Sequence, residues 1–160
     1  MKKLIASIFA VCAIAFTANA QFYFSGSLGL NVNGTKDASS ANFHIDPGIG
    51  YQMSDATAVG IFLSLGGGSG FEWSLNPYFR YTFADVSDFH FFADARVSLG
   101  QISKTFCWGV GILPGFAYSI SNSVDIVTHV ACLGVKGYGQ TTVFRFNLLD
   151  GASVGMQFKF

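Results

Sequence analysis

The chain has 160 residues with nine basic and nine acidic side chains, and charged residues make up only 11% of it. A chain of this length has room for one domain. Its balanced charge leaves no basic footprint of the kind that nucleic-acid-binding proteins carry, so no nucleic-acid partner is expected. Aromatic residues make up 16% of the chain, which is a poor composition for a surface that faces water on all sides.

The first twenty residues have the pattern of a secretory signal peptide. Lys2 and Lys3 form a basic start, 4–16 is almost wholly apolar, and 18–20 supplies the small residues of a cleavage site. A membrane-spanning helix is the alternative, but the apolar run is shorter than the ~20 residues that a span needs. We therefore expect cleavage of residues 1–20, which leaves 21–160 as a single domain.

The rest of the chain divides into eight segments in which apolar and polar side chains alternate, as they do in β-strands. The predicted strands are 22–32, 42–51, 57–66, 71–83, 89–100, 106–118, 124–135 and a last strand that ends at Phe160. Tight turns rich in Ser, Asp and Asn alternate with Gly-, Ser- and Lys-containing connections, of which the last begins at Lys136. This layout predicts an all-β fold, an eight-stranded antiparallel up-and-down transmembrane β-barrel.

The last segment is too long for one membrane-crossing strand of ~9 to 11 residues. Asp150 and Gly151 interrupt it. We therefore expect 152–160 to cross the membrane and 142–149 to form an extension or a folded-back loop above it. A barrel with ten strands is the less favoured alternative.

The two faces of the predicted strands differ in a way that favours a membrane barrel. In the fourth strand Trp73, Phe79 and Phe83 share one face, and the opposite face is polar. A soluble lipocalin-like barrel would hide the aromatic face, but the second face is rich in Gly and poor in the Lys and Glu that solubilise an exposed sheet. Aromatic residues also lie near the strand ends, as they do at the two lipid–water interfaces of membrane barrels.

The C-terminal residues 153–160 resemble the assembly signal of bacterial outer-membrane barrels. The matched positions are Ser153, Gly155, Phe158 and Phe160. Together with the strand-turn-strand segment 51–60, they make the chain similar to the small outer-membrane protein β-barrel domain family over essentially all of 21–160. The resemblance implies location in the bacterial outer membrane, insertion by the barrel assembly machinery and contact with outer-membrane lipid. We also expect a monomer.

Charged residues on the polar faces are predicted to point into a narrow lumen. There they must pair, because an unpaired buried ion costs several kcal/mol. The turn after the fourth strand predicts that Tyr78 lies opposite Asp94, with Arg80 and Arg96 on the diagonals. We expect Glu72, Arg80, Asp94 and Arg96 to form a structural polar network that fills the interior.

The cysteines and histidines suggest no reactive site. Alternation places Cys107 toward the lumen and Cys132 toward lipid, about three residues out of register, so free thiols are expected. The three histidines belong to strands that are not neighbours and lack metal-ligand spacing. A hydrolase that acts on membrane lipid would need a Ser next to a His on a lipid-facing strand and a nearby acid. The histidines here are predicted to face inward, and no His–Ser pair is expected. We therefore expect no catalytic residue, no cofactor and no metal.

Three functions follow from these features. We favour a non-enzymatic outer-membrane barrel with a side-chain-filled polar lumen and a structural or surface-interaction role. A narrow pore or a barrel that transports small ligands is the alternative, and it needs an open lumen. A secreted soluble, lipocalin-like binding barrel is the second alternative.

Overall fold

The structure is a computed structural model that describes only part of the chain. The backbone is described for residues 21–35, 38–67, 71–102 and 104–160. Side chains are described for the same residues except 29–42 and 147–153. The predicted signal peptide lies outside the described residues.

Eight strands form a closed antiparallel barrel, in which each strand pairs with its neighbours in sequence and the first pairs with the last. They are β1 Gln21–Thr35, β2 Ala38–Ser54, β3 Thr57–Gly67, β4 Phe71–Val86, β5 Phe89–Ile102, β6 Thr105–Ser121, β7 Val124–Tyr138 and β8 Thr141–Lys159. The predicted fold class is confirmed. Among the described residues we find no helix with the length and apolar character needed to cross a membrane.

The outer surface of the barrel is apolar, and its inner surface is polar. In β4, Phe79 and Phe83 are exposed, whereas Tyr78 and Arg80 are buried. Successive side chains of a strand point to opposite sides, so the alternation in the sequence becomes an apolar outside and a polar inside. The prediction that the aromatic face of the fourth strand, with Trp73, Phe79 and Phe83, points away from the lumen is confirmed.

The β4–β5 hairpin has a different register from the predicted one. Arg80 lies directly opposite Asp94, and Tyr78 lies opposite Arg96. The strands continue to a tight turn in which Ser87 has a left-handed φ of 55°. A β-bulge between Thr82 and Ala84 then shifts the pairing again. The prediction that Tyr78 lies opposite Asp94 was wrong. Neither the tight turn nor the β-bulge can be recognised from the alternation of apolar and polar residues.

A β-bulge in β7 changes which of its side chains face the lumen. Between the pairs His129–Gly115 and Leu133–Ile112, β7 contains one more residue than β6. One inserted residue moves every later side chain to the opposite face. Cys132 therefore lines the lumen, and the prediction that it faces lipid was wrong.

The β7–β8 hairpin continues the sheet where a long connection was predicted. β7 extends to Tyr138 and β8 begins at Thr141, so Lys136 belongs to a strand. The turn contains Gly139 at a φ of 56°, a conformation that glycine adopts without steric cost. Residues 142–148 pair with β7, so this part of the predicted extension continues the sheet and does not fold back.

Glycines on the inner wall differ in how closely the neighbouring backbone approaches them. A Cβ added at Gly134 would lie 2.3 Å from the carbonyl oxygen of Val110. At Gly109 the nearest atom to an added Cβ would be the carbonyl oxygen of Val135, at 3.4 Å. The first is a steric clash with backbone, and the second is an ordinary contact.

We therefore expect Gly134→Ala to destabilise the barrel by about 1–3 kcal/mol, since the β6–β7 backbone must shift to admit the methyl group. Gly109→Ala is the matched control, and its effect should stay within about 0.5 kcal/mol. Thermal unfolding in detergent, followed by electrophoresis of unboiled samples, measures both. Equal unfolding midpoints for the two variants would contradict this close β6–β7 approach.

Candidate functional site

Within the described part of the barrel, side chains divide the lumen into cavities at two ends and a small void between them. The end where β1 begins and β8 ends is called the turn side, and the opposite end is the loop side. A loop-side cavity of about 290 Å³, named the vestibule, is bordered by Arg96. A turn-side cavity of about 280 Å³ is bordered by Arg80 and Phe92. Between them lies a void of about 30 Å³ that both arginines line.

A buried carboxylate lies at the centre of the partition between the two large cavities. Asp94 is 0% exposed. Arg80 Nε donates to its Oδ1 at 2.7 Å, and Arg80 Nη2 donates to its Oδ2 at 2.9 Å. His129 Nε2 lies 2.8 Å from the same Oδ2, and Arg96 Nη2 lies 3.6 Å from it. The two-pronged contact with Arg80 fixes both side chains in one geometry.

Aromatic and amide side chains complete the partition around Arg80. Its guanidinium carbon lies 3.8 Å from the centre of the Phe92 ring, a cation–π contact. Its Nη1 donates to Gln157 Oε1 at 3.2 Å. The hydroxyls of Tyr23 and Tyr78 hydrogen-bond each other at 2.8 Å. We call this group the plug, and it consists of Tyr23, Tyr78, Arg80, Phe92, Asp94, Arg96, His129 and Gln157.

The structure brings together three of the four residues predicted for the polar network. Arg80, Asp94 and Arg96 meet in the plug, at the distances given above. Glu72 instead lines the vestibule as an exposed side chain, and no described side chain pairs with it. The contact between His129 and Asp94 was not predicted, because β5 and β7 are separated by β6 and meet only across the lumen of the barrel.

A second chain of polar side chains lies at the turn side. His90 Nδ1 is 2.5 Å from Asp85 Oδ1, and His90 Nε2 is 3.1 Å from Ser119 Oγ. Ser119 Oγ donates to Asp125 Oδ1 at 2.8 Å, and Lys159 Nζ lies 2.8 Å from Asp125 Oδ2. The expectation that no Ser lies beside a His was therefore wrong. The register places Ser119 on the diagonal from His90, on the same face of the sheet.

This turn-side chain has the residue types of a serine nucleophile with its base and acid, but its hydrogen bonds run the other way. Ser119 has one hydroxyl proton, which it donates to Asp125. With that proton committed to Asp125, the Ser119 oxygen is left to accept from His90 Nε2. A nucleophilic serine must instead give its proton to the histidine. The arrangement is a hydrogen-bonded network of two carboxylates, one imidazole, one hydroxyl and one ammonium group.

The residues predicted to form an assembly signal lie on the last strand. Phe158 and Phe160 are exposed on the outer face, and the ring of Phe160 packs edge-on against Phe24 with 5.7 Å between centres. The backbone N–H of Phe160 donates to a carbonyl of β1 at 3.0 Å. A Cβ added at Gly155 would lie 2.6 Å from a backbone oxygen of β1. The side chain of Ser153 lies outside the described residues.

Both described cysteines are free thiols, as predicted. Cys107 pairs with Tyr138, which is six residues along β7 from Cys132, so the offset is larger than the predicted three. Both side chains line the vestibule. Among the residues that the structure describes, no three His, Cys, Asp or Glu side chains cluster as metal ligands would.

Comparison with known proteins finds similar folds at low sequence identity. No protein-family model and no curated protein matches the chain. Neisserial surface protein A (NspA), an eight-stranded outer-membrane barrel, has a crystal structure similar to this chain with a TM-score of 0.59 and 16% identity, over 88% of this chain and 96% of NspA. A de novo designed transmembrane β-barrel matches with a TM-score of 0.52 and 11% identity, over 88% and 95% of the two chains. The predicted resemblance to eight-stranded outer-membrane barrels is confirmed for the fold.

The contacts within the plug predict that the barrel depends on the buried charge of Asp94 for its stability. Asp94→Asn leaves Arg80 and Arg96 without their shared carboxylate, which should cost about 3–5 kcal/mol of stability. Glu72→Gln is the matched control, because it neutralises an exposed carboxylate without a described partner and should change stability by at most about 0.5 kcal/mol. Urea unfolding in lipid vesicles, followed by Trp fluorescence, measures both. Equal urea midpoints would show that Asp94 does not hold the plug together.

Proposed function

We propose that this protein is an integral, non-enzymatic β-barrel of the bacterial outer membrane, with a lumen closed by the plug and a structural or surface-interaction role. The observation that carries the proposal is the buried Asp94–Arg80 pair between two separate cavities. We further propose that 1–20 is a cleaved signal peptide and that the barrel is a monomer in outer-membrane lipid, without cofactor or nucleic-acid partner.

The outer surface supports a membrane location. Leu28, Phe71, Phe144 and Phe160 are each at least 60% exposed, among many other apolar side chains on the outside of the barrel. Water-soluble monomers rarely expose contiguous apolar surface on this scale, whereas lipid solvates it. This argues against the secreted, soluble binding barrel. The fold shared with transmembrane barrels agrees with the same conclusion.

The plug supports a closed barrel over a narrow pore. A continuous path would have to displace Arg80 from both oxygens of Asp94 and from the face of Phe92. Separating a buried ion pair leaves uncompensated charge in the lumen, at a cost of about 3–5 kcal/mol. A conducting state would therefore be rare without an input of free energy.

The turn-side network supports a non-enzymatic role. Its one candidate nucleophile, Ser119, already donates its proton to Asp125, and Asp125 is held by Lys159. Transfer of that proton to His90 would require the hydrogen bonds of Ser119 to rearrange. The network therefore fits a structural role, in which it ties β4, β5, β6, β7 and β8 together at the turn side.

A barrel with a closed lumen should not conduct ions. Purified wild-type protein in a planar bilayer should give no stable unitary conductance, because the plug fills the cross-section. The double variant Arg80→Ala, Phe92→Ala should conduct, since it removes the guanidinium and the ring that border the turn-side cavity. Glu72→Ala, outside the plug, should stay silent. Stable unitary conductance from the wild-type protein would favour the narrow pore and overturn the closed barrel.

The proposed assembly signal predicts a strong effect at the end of β8. Replacing Phe158 and Phe160 with Ser should reduce outer-membrane yield more than any lumenal substitution, because the barrel assembly machinery would lose the apolar contacts that it recognises. The matched control replaces Phe144 and Phe146, two exposed aromatics at the same spacing on the same strand, with Ser. Membrane fractionation and electrophoresis with and without boiling measure the yield. Equal yields from the two double variants would defeat the proposal.

A further inference from the structure

The vestibule exists because the inner wall of the barrel changes composition along its length. At the level of the plug, inward positions carry large side chains such as Tyr78 and Phe92. Toward the loop side, β6 and β7 present Gly109, Gly111 and Gly134 to the cavity instead. Side chains that are absent leave space, and the result is a preformed volume of about 290 Å³. Cavities of this size are common as small-molecule sites.

Most charged side chains around the vestibule are cationic. Arg96 borders it next to the plug, and Lys136 and Arg145 line it from β7 and β8. Among the described side chains that line it, Glu72 is the one carboxylate. The turn-side cavity is mixed in charge, because Asp55, Asp85 and Asp125 line it together with Arg80 and Lys159. The plug therefore separates a mainly cationic compartment from one of mixed charge.

The bulge in β7 turns the side chain of Lys136, one of these cations, toward the vestibule. Without the inserted residue between His129 and Leu133, strict alternation would turn Lys136 outward, toward lipid. With it, Lys136 faces the cavity opposite Gly109. Lys136 has no ion-pair partner among the described side chains. An inward, unpaired ammonium group is a donor available to a bound anion.

Arg96 also has unused hydrogen-bonding capacity. Its Nε is buried and has no hydrogen-bond partner. Its Nη2 lies 3.2 Å from His129 Nε2 and 3.6 Å from Asp94 Oδ2, and Asp94 already accepts two shorter bonds from Arg80. Asp46 lines the small void on the other side of Arg96 and does not line the vestibule. A buried donor without a partner costs about 1–3 kcal/mol, which a ligand acceptor would recover.

We propose that the vestibule is a binding site for a small organic anion, whose carboxylate or phosphate group contacts Arg96 and Lys136. The guanidinium plane suits the two oxygens of such a group, and the ammonium adds a second charge. The glycine wall leaves room for the body of the ligand. This proposal rests on the function proposed above, in which the barrel has a surface-interaction role. Binding of the anion would be that interaction, and it requires that the vestibule opens to the outside of the cell. The anion comes from the external solution or from the headgroup of a neighbouring lipid.

A pair of probes that differ in one group tests the charge requirement. Glycerol 3-phosphate and glycerol are titrated into the purified full-length protein in phosphatidylcholine vesicles, with calorimetry as the readout. Glycerol 3-phosphate should bind and glycerol should not. Lys136→Gln should weaken binding by about tenfold, as expected for loss of one charged hydrogen bond. Ser98→Phe should abolish binding by filling the cavity, without any change of charge.

Lys104→Gln is the matched control, because Lys104 lies at the loop side but does not line the vestibule. Its affinity should stay within about twofold of the wild type. If Lys104→Gln and Lys136→Gln weakened glycerol 3-phosphate binding equally, the general charge of the protein surface would account for binding, and the proposed site would be overturned. Absence of glycerol 3-phosphate binding would overturn it as well.

Vesicles that contain phosphatidylglycerol distinguish the two sources of the anion. If phosphatidylglycerol competes with glycerol 3-phosphate, the vestibule receives lipid headgroups. If binding is unchanged, the ligand is a soluble anion from outside. A variant that keeps its folded band and stays electrically silent but loses binding separates failure of this site from failure of the closed barrel.

Discussion

The interior of this barrel is organised around one buried ion pair, Asp94 with Arg80. The carboxylate is fully enclosed, and both of its oxygens accept hydrogen bonds from the same guanidinium. Neither group can lose its partner without several kcal/mol of uncompensated charge. The pair therefore fixes the height at which the lumen is closed. His129, Gln157 and the surrounding rings pack against a centre that cannot move independently of the barrel wall.

The two compartments that result are alike in size and unlike in chemistry. Large inward side chains close the middle, and glycines widen the loop side. Cations border the vestibule, whereas Asp85 and Asp125 join His90 and Lys159 in a hydrogen-bonded network at the turn side. The two ends of the lumen therefore differ in the charges that line them. The same barrel thus combines an apolar outer wall with the vestibule, a cavity at one end that is large enough for a small molecule.

Alternation of apolar and polar residues was sufficient to predict eight antiparallel strands, their closure and the inward position of Arg80, Asp94 and Arg96. The alternation did not predict the exact lengths of the turns or the positions of the β-bulges. A turn tighter than the predicted one, together with the bulge in β4, gives Asp94 a different partner, and the bulge in β7 moves Cys132 to the lumenal face. Contacts such as Asp94 with His129 join strands that are distant in the pairing order, so local patterns carry no signal for them.

The most direct test of this organisation is a double-mutant cycle between Arg80 and Asp94, with Arg80→Gln, Asp94→Asn and the combination unfolded in lipid vesicles. If the pair holds the plug together, each single change leaves the other member of the pair as a buried charge without its partner, and the double change removes both charges of the pair. The coupling energy should then be about 2–3 kcal/mol. Stabilities that add to within about 0.5 kcal/mol would contradict the account, since the two side chains would then act independently.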